Sequence, residues 1–267
     1  MNTEIKQSIV CYSHRGDKTH YPENTDSAYN KAILDGFTGL ELDVVASKDG
    51  TIFCSHNHDL ERETNGFGYF FEKTAFEIET YHAVNPVSTR AERIPKLEDI
   101  LERYSEVPNL NIEIKFRKIF DVSIAIKVAR IITKHKMEKN ILVSSFNPIV
   151  LRIVKAINSK IKTGYLIKSL RAILFLSLAR PNYIHPRADI LCEGLIAYAK
   201  KRFRSINYFC ADLAVLLESK DKYGFVHSSE VIEHVSDINL YMRVLKNLVS
   251  SRAKPLIGQP KHRCKAQ

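Results

Sequence analysis

A (β/α)8, or TIM, barrel with a β-hairpin excursion after its second strand is the α/β fold that this sequence predicts. Three observations lead there. The chain has 267 residues, close to the roughly 250 of a typical single barrel. Strand-like and helix-like segments alternate almost throughout, the pattern of a parallel sheet covered by helices. With the return strand of one short hairpin set aside, the parallel strands number eight, which closes the barrel.

Residues 8–14 (SIVCYSH) are apolar and strand-like. Asn24 or Thr25 caps a helix running to Asp35, with Gly36 as its stop. Residues 39–45 (GLELDVV) alternate as a strand, and residues 51–56 (TIFCSH) follow the turn Lys48-Asp49-Gly50. A parallel crossover needs about ten residues or more, so these two strands form an antiparallel hairpin, with Asp43 roughly opposite His56. Pro95 introduces a helix over 97–104. Strands at 109–115, 140–145, 162–167 and 182–185 then alternate with helices at 121–135, 148–157, 169–178 and 188–201. Strand 205–209, helix 212–219, strand 223–227 and helix 230–248 complete the series. The eight parallel strands are those containing His14, Asp43, Glu113, Ser144, Tyr165, His185, Tyr208 and His227. No repeat or linker divides the chain. Residues 1–250 read as one barrel domain, and 251–267, with five Lys or Arg and two Pro, as a loose basic tail.

Composition narrows the class further. Hydrophobic residues make up 45% and charged residues 26%, a balance that excludes disordered, collagen-like and coiled-coil chains. No stretch approaches the roughly 18 apolar residues of a membrane span; the best, 172–179, is interrupted by Ser177. The opening MNTEIKQSIV lacks the succession of a signal peptide. The five cysteines, Cys11, Cys54, Cys192, Cys210 and Cys264, show no CxxC spacing and read as free thiols in a reducing, cytoplasmic compartment. Charge is unevenly placed. Residues 1–150 carry 19 Lys and Arg against 22 Asp and Glu, a net of −3, whereas residues 151–267 carry 21 against 8, a net of +13. Such a basic half reads either as uneven solvated surface or as a surface that attracts polyanions or anionic lipid. No nucleic-acid recognition motif accompanies it.

Barrel enzymes carry their chemistry at the C-terminal ends of the strands. That rule selects His14-Arg15-Gly16, Glu41-Leu42-Asp43, His56 and Glu113-Ile114-Lys115. Residues i and i+2 of a strand share a face, so Glu41 points with Asp43 and Glu113 with Lys115. Three carboxylates at one barrel mouth repel one another unless a cation intervenes. All-oxygen ligands suit a hard divalent ion, Mg²⁺ or Ca²⁺. His14 and His56 flank them and are suited to moving protons onto a leaving oxygen and off a nucleophile. Arg15 and Lys115 would neutralise an anionic substrate such as a phosphodiester. Singly, each group has a duller reading as an ion pair, a strand-to-turn junction or a turn histidine. Their joint occurrence in order, each at a predicted strand end, favours the site.

These residues belong to a longer series: HRG (14–16), PENT (22–25), ELDV (41–44), KDG (48–50), SHNHDLERETNG (55–66), IPKLEDIL (94–101), NIEIK (111–115), SSF (144–146) and GYL (164–166). In order and spacing the series resembles the glycerophosphodiester phosphodiesterase family, within the barrel-shaped phosphodiesterases that include phosphatidylinositol-specific phospholipase C. The resemblance spans roughly residues 8–187. It implies metal-dependent hydrolysis of a glycerophosphodiester to an alcohol and glycerol phosphate. His14 and His56 are then the acid/base pair, Glu41, Asp43 and Glu113 the divalent-metal ligands, and Arg15 and Lys115 the phosphate-binding cations. Which histidine is acid and which base stays open, as does attack by a neighbouring hydroxyl or by water.

The resemblance also sets the register within HNHD. Counting back from Leu60 and Arg62 places the family's His-Asp pair at His56-Asn57, with His58 as second choice. Asn57 then replaces the usual Asp. The C-terminal quarter departs further. Where the family carries a Trp-Thr-Val-Asn-like strand and a Thr-Asp-Pro-like strand end, this chain reads SINYFCAD (205–212) and YGFVHSSE (223–230), with Tyr208 or Phe209 as the available aromatic wall and His227-Ser228 in place of Thr-Asp. An unusual leaving-group preference is the expectation. Two other readings share the same centre: a phospholipase or phosphoryl-lyase acting on intact lipid or glycan head groups, and a non-catalytic barrel binding a phosphorylated ligand. Lys168, Arg171, Arg180 and Arg187 around 172–179 read as the basic ends of an amphipathic helix, or as a lip for peripheral contact with anionic membrane.

Overall fold

The computed structural model describes residues 12–85 and 91–187, together with 190, 194 and 195. Nine strands and six α-helices follow one another there: β1 (Tyr12–His14), α1 (Asp26–Leu34), β2 (Gly39–Ala46), β3 (Ile52–Cys54), α2 (Ala75–Ile78), β4 (His82–Val84), β5 (Ala91–Arg93), α3 (Leu97–Arg103), β6 (Leu110–Ile114), α4 (Ser123–Lys134), β7 (Ile141–Ser145), α5 (Pro148–Ile157), β8 (Lys162–Ile167), α6 (Leu176–Ala179) and β9 (Tyr183–Pro186). Six strands pair in parallel, in the order β1-β2-β6-β7-β8-β9, and β3 pairs with β2 at its side. The sheet curls as a TIM barrel does, and these are the first six of its eight predicted parallel strands. The strands expected around Tyr208 and His227, the helices expected over 212–219 and 230–248, all but three residues of the helix expected over 188–201, and the tail from 251 lie outside the described residues.

Alternation along the strands separates the two faces of the sheet. Leu40, Leu42 and Val44 of β2, Ile112 and Ile114 of β6 and Val143 of β7 point outward, where they bury against Leu97, Ile100 and Leu101 of α3, Val128 and Ile132 of α4, and Val150 and Val154 of α5. The other face carries polar groups: Glu41 and Asp43 on β2, Asn111 and Glu113 on β6, Ser144 on β7, all buried. Parallel register puts Asp43 beside Glu113 and Glu113 beside Ser144, as neighbours in one layer. Further round, a Cβ at Gly164 would stand 2.6 Å from Nε2 of the buried His185, so only glycine leaves room for that imidazole inside the barrel.

The predicted hairpin forms, as β2 and β3, with a one-residue shift. Val44 faces Cys54 and Ala46 faces Ile52, which sets Asp43 opposite Ser55, whose N–H donates to the Asp43 carbonyl at 3.1 Å. The turn spans one residue fewer than the count assumed, and His56 therefore lies just past the paired strand. Beyond it the chain builds a small layer that the periodicity did not indicate: a 3-10 turn at Phe70–Glu72, then α2 and the β4–β5 hairpin. These bury Leu60, Phe70, Ile78, Ala83 and Ile94 against Val45 and Phe53. The helix expected over 169–178 is a 3-10 stretch, Leu170–Phe175, followed by the single turn of α6. Its sequence is apolar at nearly every position and so has no single stripe to bury; Leu176 and Ala179 are buried, while Leu170, Leu174, Phe175 and Leu178 remain exposed.

Candidate active site

The first turn after β1 sets the floor of the site. Arg15 takes a left-handed backbone, φ 61°, and Gly16 follows at φ 80°. A Cβ on Gly16 would come within 2.5 Å of the Ala28 backbone, so the turn packs directly on α1. Asn24 is likewise left-handed, φ 58°. Of the two expected caps, Thr25 does the capping, accepting from the Ala28 N–H. Asn24 is released for the site: its Oδ1 accepts from the Asp43 N–H at 3.1 Å and from the Tyr29 hydroxyl at 2.9 Å, and its Nδ2 donates to the Asp43 carboxylate at 3.3 Å. The sequence showed Asn24 within PENT, without a hint of this partner.

Glu41, Asp43 and Glu113 come together as expected. One oxygen from each lies within 4.8 Å of the others, and all three side chains are buried. Arg15 Nε stands 2.8 Å from one Asp43 oxygen and Lys115 Nζ 2.9 Å from the other. Lys115 also donates to Glu113 at 2.6 Å. His14 Nε2 approaches Glu41 at 3.7 Å. Both imidazoles, His14 and His56, lie close enough to Asp43 for their charge to favour its ionised form.

The three acids respond differently to this crowding. Burial pushes the Glu41 carboxyl well up, and the charges of Asp43 and Glu113 add to the effect. Burial, then Asp43, also pushes Glu113 up to about 7, against the pull of Lys115. At Asp43 burial pulls the same way, but Lys115 and Arg15 outweigh it and hold the carboxyl down at about 2. Lys115 is in turn held above its ordinary range, its burial overcome by Asp43 and Glu113. Burial brings His56 down to about 4, so its ring is neutral at pH 7.

A divalent cation fits these groups. The donor set is oxygen only, as hard cations require. The buried Oε2 of Glu41 accepts no hydrogen bond within the described residues, an orphaned acceptor of the kind a cation satisfies. Three carboxylates against Arg15 and Lys115 leave one formal negative charge, which a divalent ion turns into one positive charge facing the mouth.

Above this layer a cleft of about 330 Å³ opens, lined by His56, His58, Arg62, Glu113, Lys115, Phe116 and Phe146 among others. His56 stands on the side of Asp43, and its side chain remains a third exposed. His58 also lines the cleft and lies beside Phe71, at 6.3 Å between ring centres. One carboxylate went unnoticed in the sequence. Glu63, inside ERETNG, accepts from the His56 N–H at 3.0 Å and from the Ser55 hydroxyl at 2.9 Å.

Comparison with known proteins supplies the family. The model of the glycerophosphoryl diester phosphodiesterase family matches residues 14–173, and the chain belongs to that family. A glycerophosphodiester phosphodiesterase of Caldanaerobacter subterraneus subsp. tengcongensis is 36% identical over 160 residues, covering 59% of this chain and 66% of that protein. The chain spans only 57% of a second such relative, from Bacillus altitudinis. Among solved structures, a glycerophosphodiester phosphodiesterase of Thermotoga maritima superposes with a TM-score of 0.65 at 26% identity, over 85% of this chain and 96% of that one. An Oleispira antarctica phosphodiesterase in complex with the product sn-glycerol-3-phosphate gives a TM-score of 0.71 at 22% identity, over 84% and 94% of the two chains.

Proposed function

We propose that this protein hydrolyses glycerophosphodiesters to an alcohol and glycerol phosphate. The observation that carries the reading is the buried triad Glu41, Asp43 and Glu113, gathered within 4.8 Å and flanked by two imidazoles and two cations. Family membership and the glycerol phosphate held by the Oleispira relative support it. Glu41, Asp43 and Glu113 would hold Mg²⁺ or Ca²⁺, which supplies Lewis-acid polarisation of the phosphoryl group and a fixed point for the substrate.

The chain's own residues do the rest. Arg15 and Lys115, both locked onto Asp43, present positive charge that binds and orients the phosphodiester anion. Neutral His56 has a free lone pair at pH 7. His14 and His56 form the acid/base pair: one takes the proton of the attacking hydroxyl or water, the other delivers a proton to the departing alkoxide. Phe116 and Phe146 give the leaving group an apolar wall in the cleft.

Glycerophosphodiesters are what remains when a phospholipid loses its acyl chains, which places the reaction in lipid turnover. No described helix is long and apolar enough to cross a membrane; a cytoplasmic protein acting on a small diester is the reading we favour. Peripheral contact with anionic lipid belongs to the same proposal. Leu170, Leu174 and Phe175 are exposed just beyond the C-terminal end of β8, on the side of the mouth, next to Lys168 and Arg171.

Turnover of glycerophosphocholine by the intact protein tests the proposal. His14→Ala and His56→Ala should each lower kcat by at least about a hundredfold while leaving the thermal transition in place. Near-normal turnover in either variant would refute the role of that residue. No turnover by the wild-type protein with Mg²⁺ or Ca²⁺ would refute the activity.

A further inference from the structure

Glu63 has no part in the mechanism above, yet three consecutive residues grip its carboxylate. Oε2 accepts from the His56 backbone N–H at 3.0 Å and from the Ser55 hydroxyl at 2.9 Å. Oε1 accepts from the Asn57 amide at 2.5 Å and stands 3.8 Å from Nδ1 of His56. The side chain is only 12% exposed. Its backbone is pinned as well: the Val84 N–H donates to the Glu63 carbonyl at 2.8 Å, and the next residue, Thr64, bonds back to Leu60 through both its N–H and its hydroxyl. A carboxylate oxygen accepts two hydrogen bonds comfortably. Oε2 has both; Oε1 has one and turns its remaining capacity toward the imidazole.

We infer that Glu63 is a positioning residue for His56. It holds Nδ1–H, fixes the ring's tautomer and leaves the Nε2 lone pair for the substrate's proton. A carboxylate on the far nitrogen of a catalytic imidazole does this elsewhere, setting orientation and tautomer without itself reacting. The gap of 3.8 Å lies beyond hydrogen-bond range. With the carboxylate held in place, a rotation of the imidazole toward Oε1 would close it, and such contacts commonly tighten when substrate binds. The inference rests on the reading of His56 as an acid/base residue.

The same carboxylate also belongs to a second acidic group, with Glu23 and His56, whose donor atoms lie within 4.8 Å. A second cation there is the competing assignment. The partners argue against it. Glu23 already pairs with the Arg15 guanidinium at 3.0 Å, and Glu63 already takes its hydrogen bonds from the Ser55 hydroxyl, the His56 N–H and the Asn57 amide, so a cation there would have to compete with partners already in place.

The experiment is ¹⁵N-histidine NMR on the full chain with saturating Mg²⁺, with His56 assigned by its loss in His56→Ala. Kinetics on glycerophosphocholine accompany it. The wild-type ring should show the Nδ1–H tautomer. Glu63→Gln should shift it toward Nε2–H, lower kcat by at least about tenfold and leave KM within about threefold. Glu63→Asp should keep the wild-type tautomer and recover part of kcat. In a His56→Ala background, Glu63→Gln should cost nothing more. A wild-type ring in the Nε2–H form overturns the inference, and needs no variant to fold. So does a Glu63→Gln protein with unchanged tautomer and kcat, or a second bound cation per chain that Glu63→Gln removes. If His56→Ala itself turns over normally, the acid/base reading fails, while the tautomer still decides the contact.

Discussion

Glu41 and Glu113 are paradoxical residues for a site of this kind. Burial and mutual repulsion favour their protonated forms, whereas a hard cation binds the carboxylate. The cation must therefore displace protons, and the sign of the pH effect follows. Below about 7 the metal-free Glu113 holds a proton, and Glu41 is pushed up as well, so affinity rises with pH through that range. Calorimetric titration with Mg²⁺ at pH 6 and pH 8 should show binding weaker at pH 6 by about tenfold or more, with proton release detectable from buffers of different ionisation enthalpy. Affinity independent of pH would mean that Glu113 is not a ligand. Asp43 behaves oppositely. Lys115 and Arg15 keep it ionised, so it stays a carboxylate across the neutral pH range. Much of this centre could be read from residue spacing. Glu41 with Asp43 and Glu113 with Lys115 stand two apart on strands, and a strand maps such spacing onto one face. Asn24 and Glu63 could not be read that way. Their partners are set by a left-handed turn and by a loop, whose paths no periodicity encodes.

At the scale of elements, length decides what was legible. The twelve residues of α4 bury five positions along one stripe, and β2 carries eight residues with alternating destinations. Both stood out from the sequence. Helix α2 and strands β4 and β5 have three or four residues each, too few to show a period. A signal for α2 existed: Thr74 and Glu77 form a reciprocal cap, and the pattern Thr-x-x-Glu announces it. The β1–α1 turn is the element on which the site depends most, because it carries Arg15 and starts directly after His14. Gly16→Ala would force a side chain into left-handed backbone and against Ala28. A loss of at least about 1 kcal/mol in urea denaturation is expected, with a larger relative loss of activity than of folded protein. An unchanged midpoint would show that the turn adapts.

For the molecule as a whole, the parallel topology collects the C-terminal loops of β1, β2, β6, β7, β8 and β9 at one end. That end holds the acidic centre, and around it stand exposed apolar groups from different loops: Tyr69 (stacked on Phe71 beside His58), Ile119 and Phe120 beyond β6, Leu174 and Phe175 beyond β8. Arg117 sits over the Phe71 ring at 4.6 Å and Lys168 near Phe146 at 5.8 Å. Apolar tips interspersed with cations suit the interface of an anionic bilayer. Co-sedimentation with phosphatidylserine vesicles should be clear at low salt, weaken as salt rises, and fall further in a Phe120→Ser, Leu174→Ser variant that turns over soluble diester normally. Absence of binding at low salt would remove the lipid contact and leave the chemistry untouched.

The fullest test of the account is cation stoichiometry linked to turnover. Titrating the chelator-stripped protein with Ca²⁺ or Mg²⁺ should give one site per chain, and hydrolysis of glycerophosphocholine should appear in step with its filling. Asp43→Asn and Glu113→Gln should each abolish both. Full turnover in excess chelator, or stoichiometric binding that survives both substitutions, would contradict the claim that Glu41, Asp43 and Glu113 share the ion on which the reaction depends.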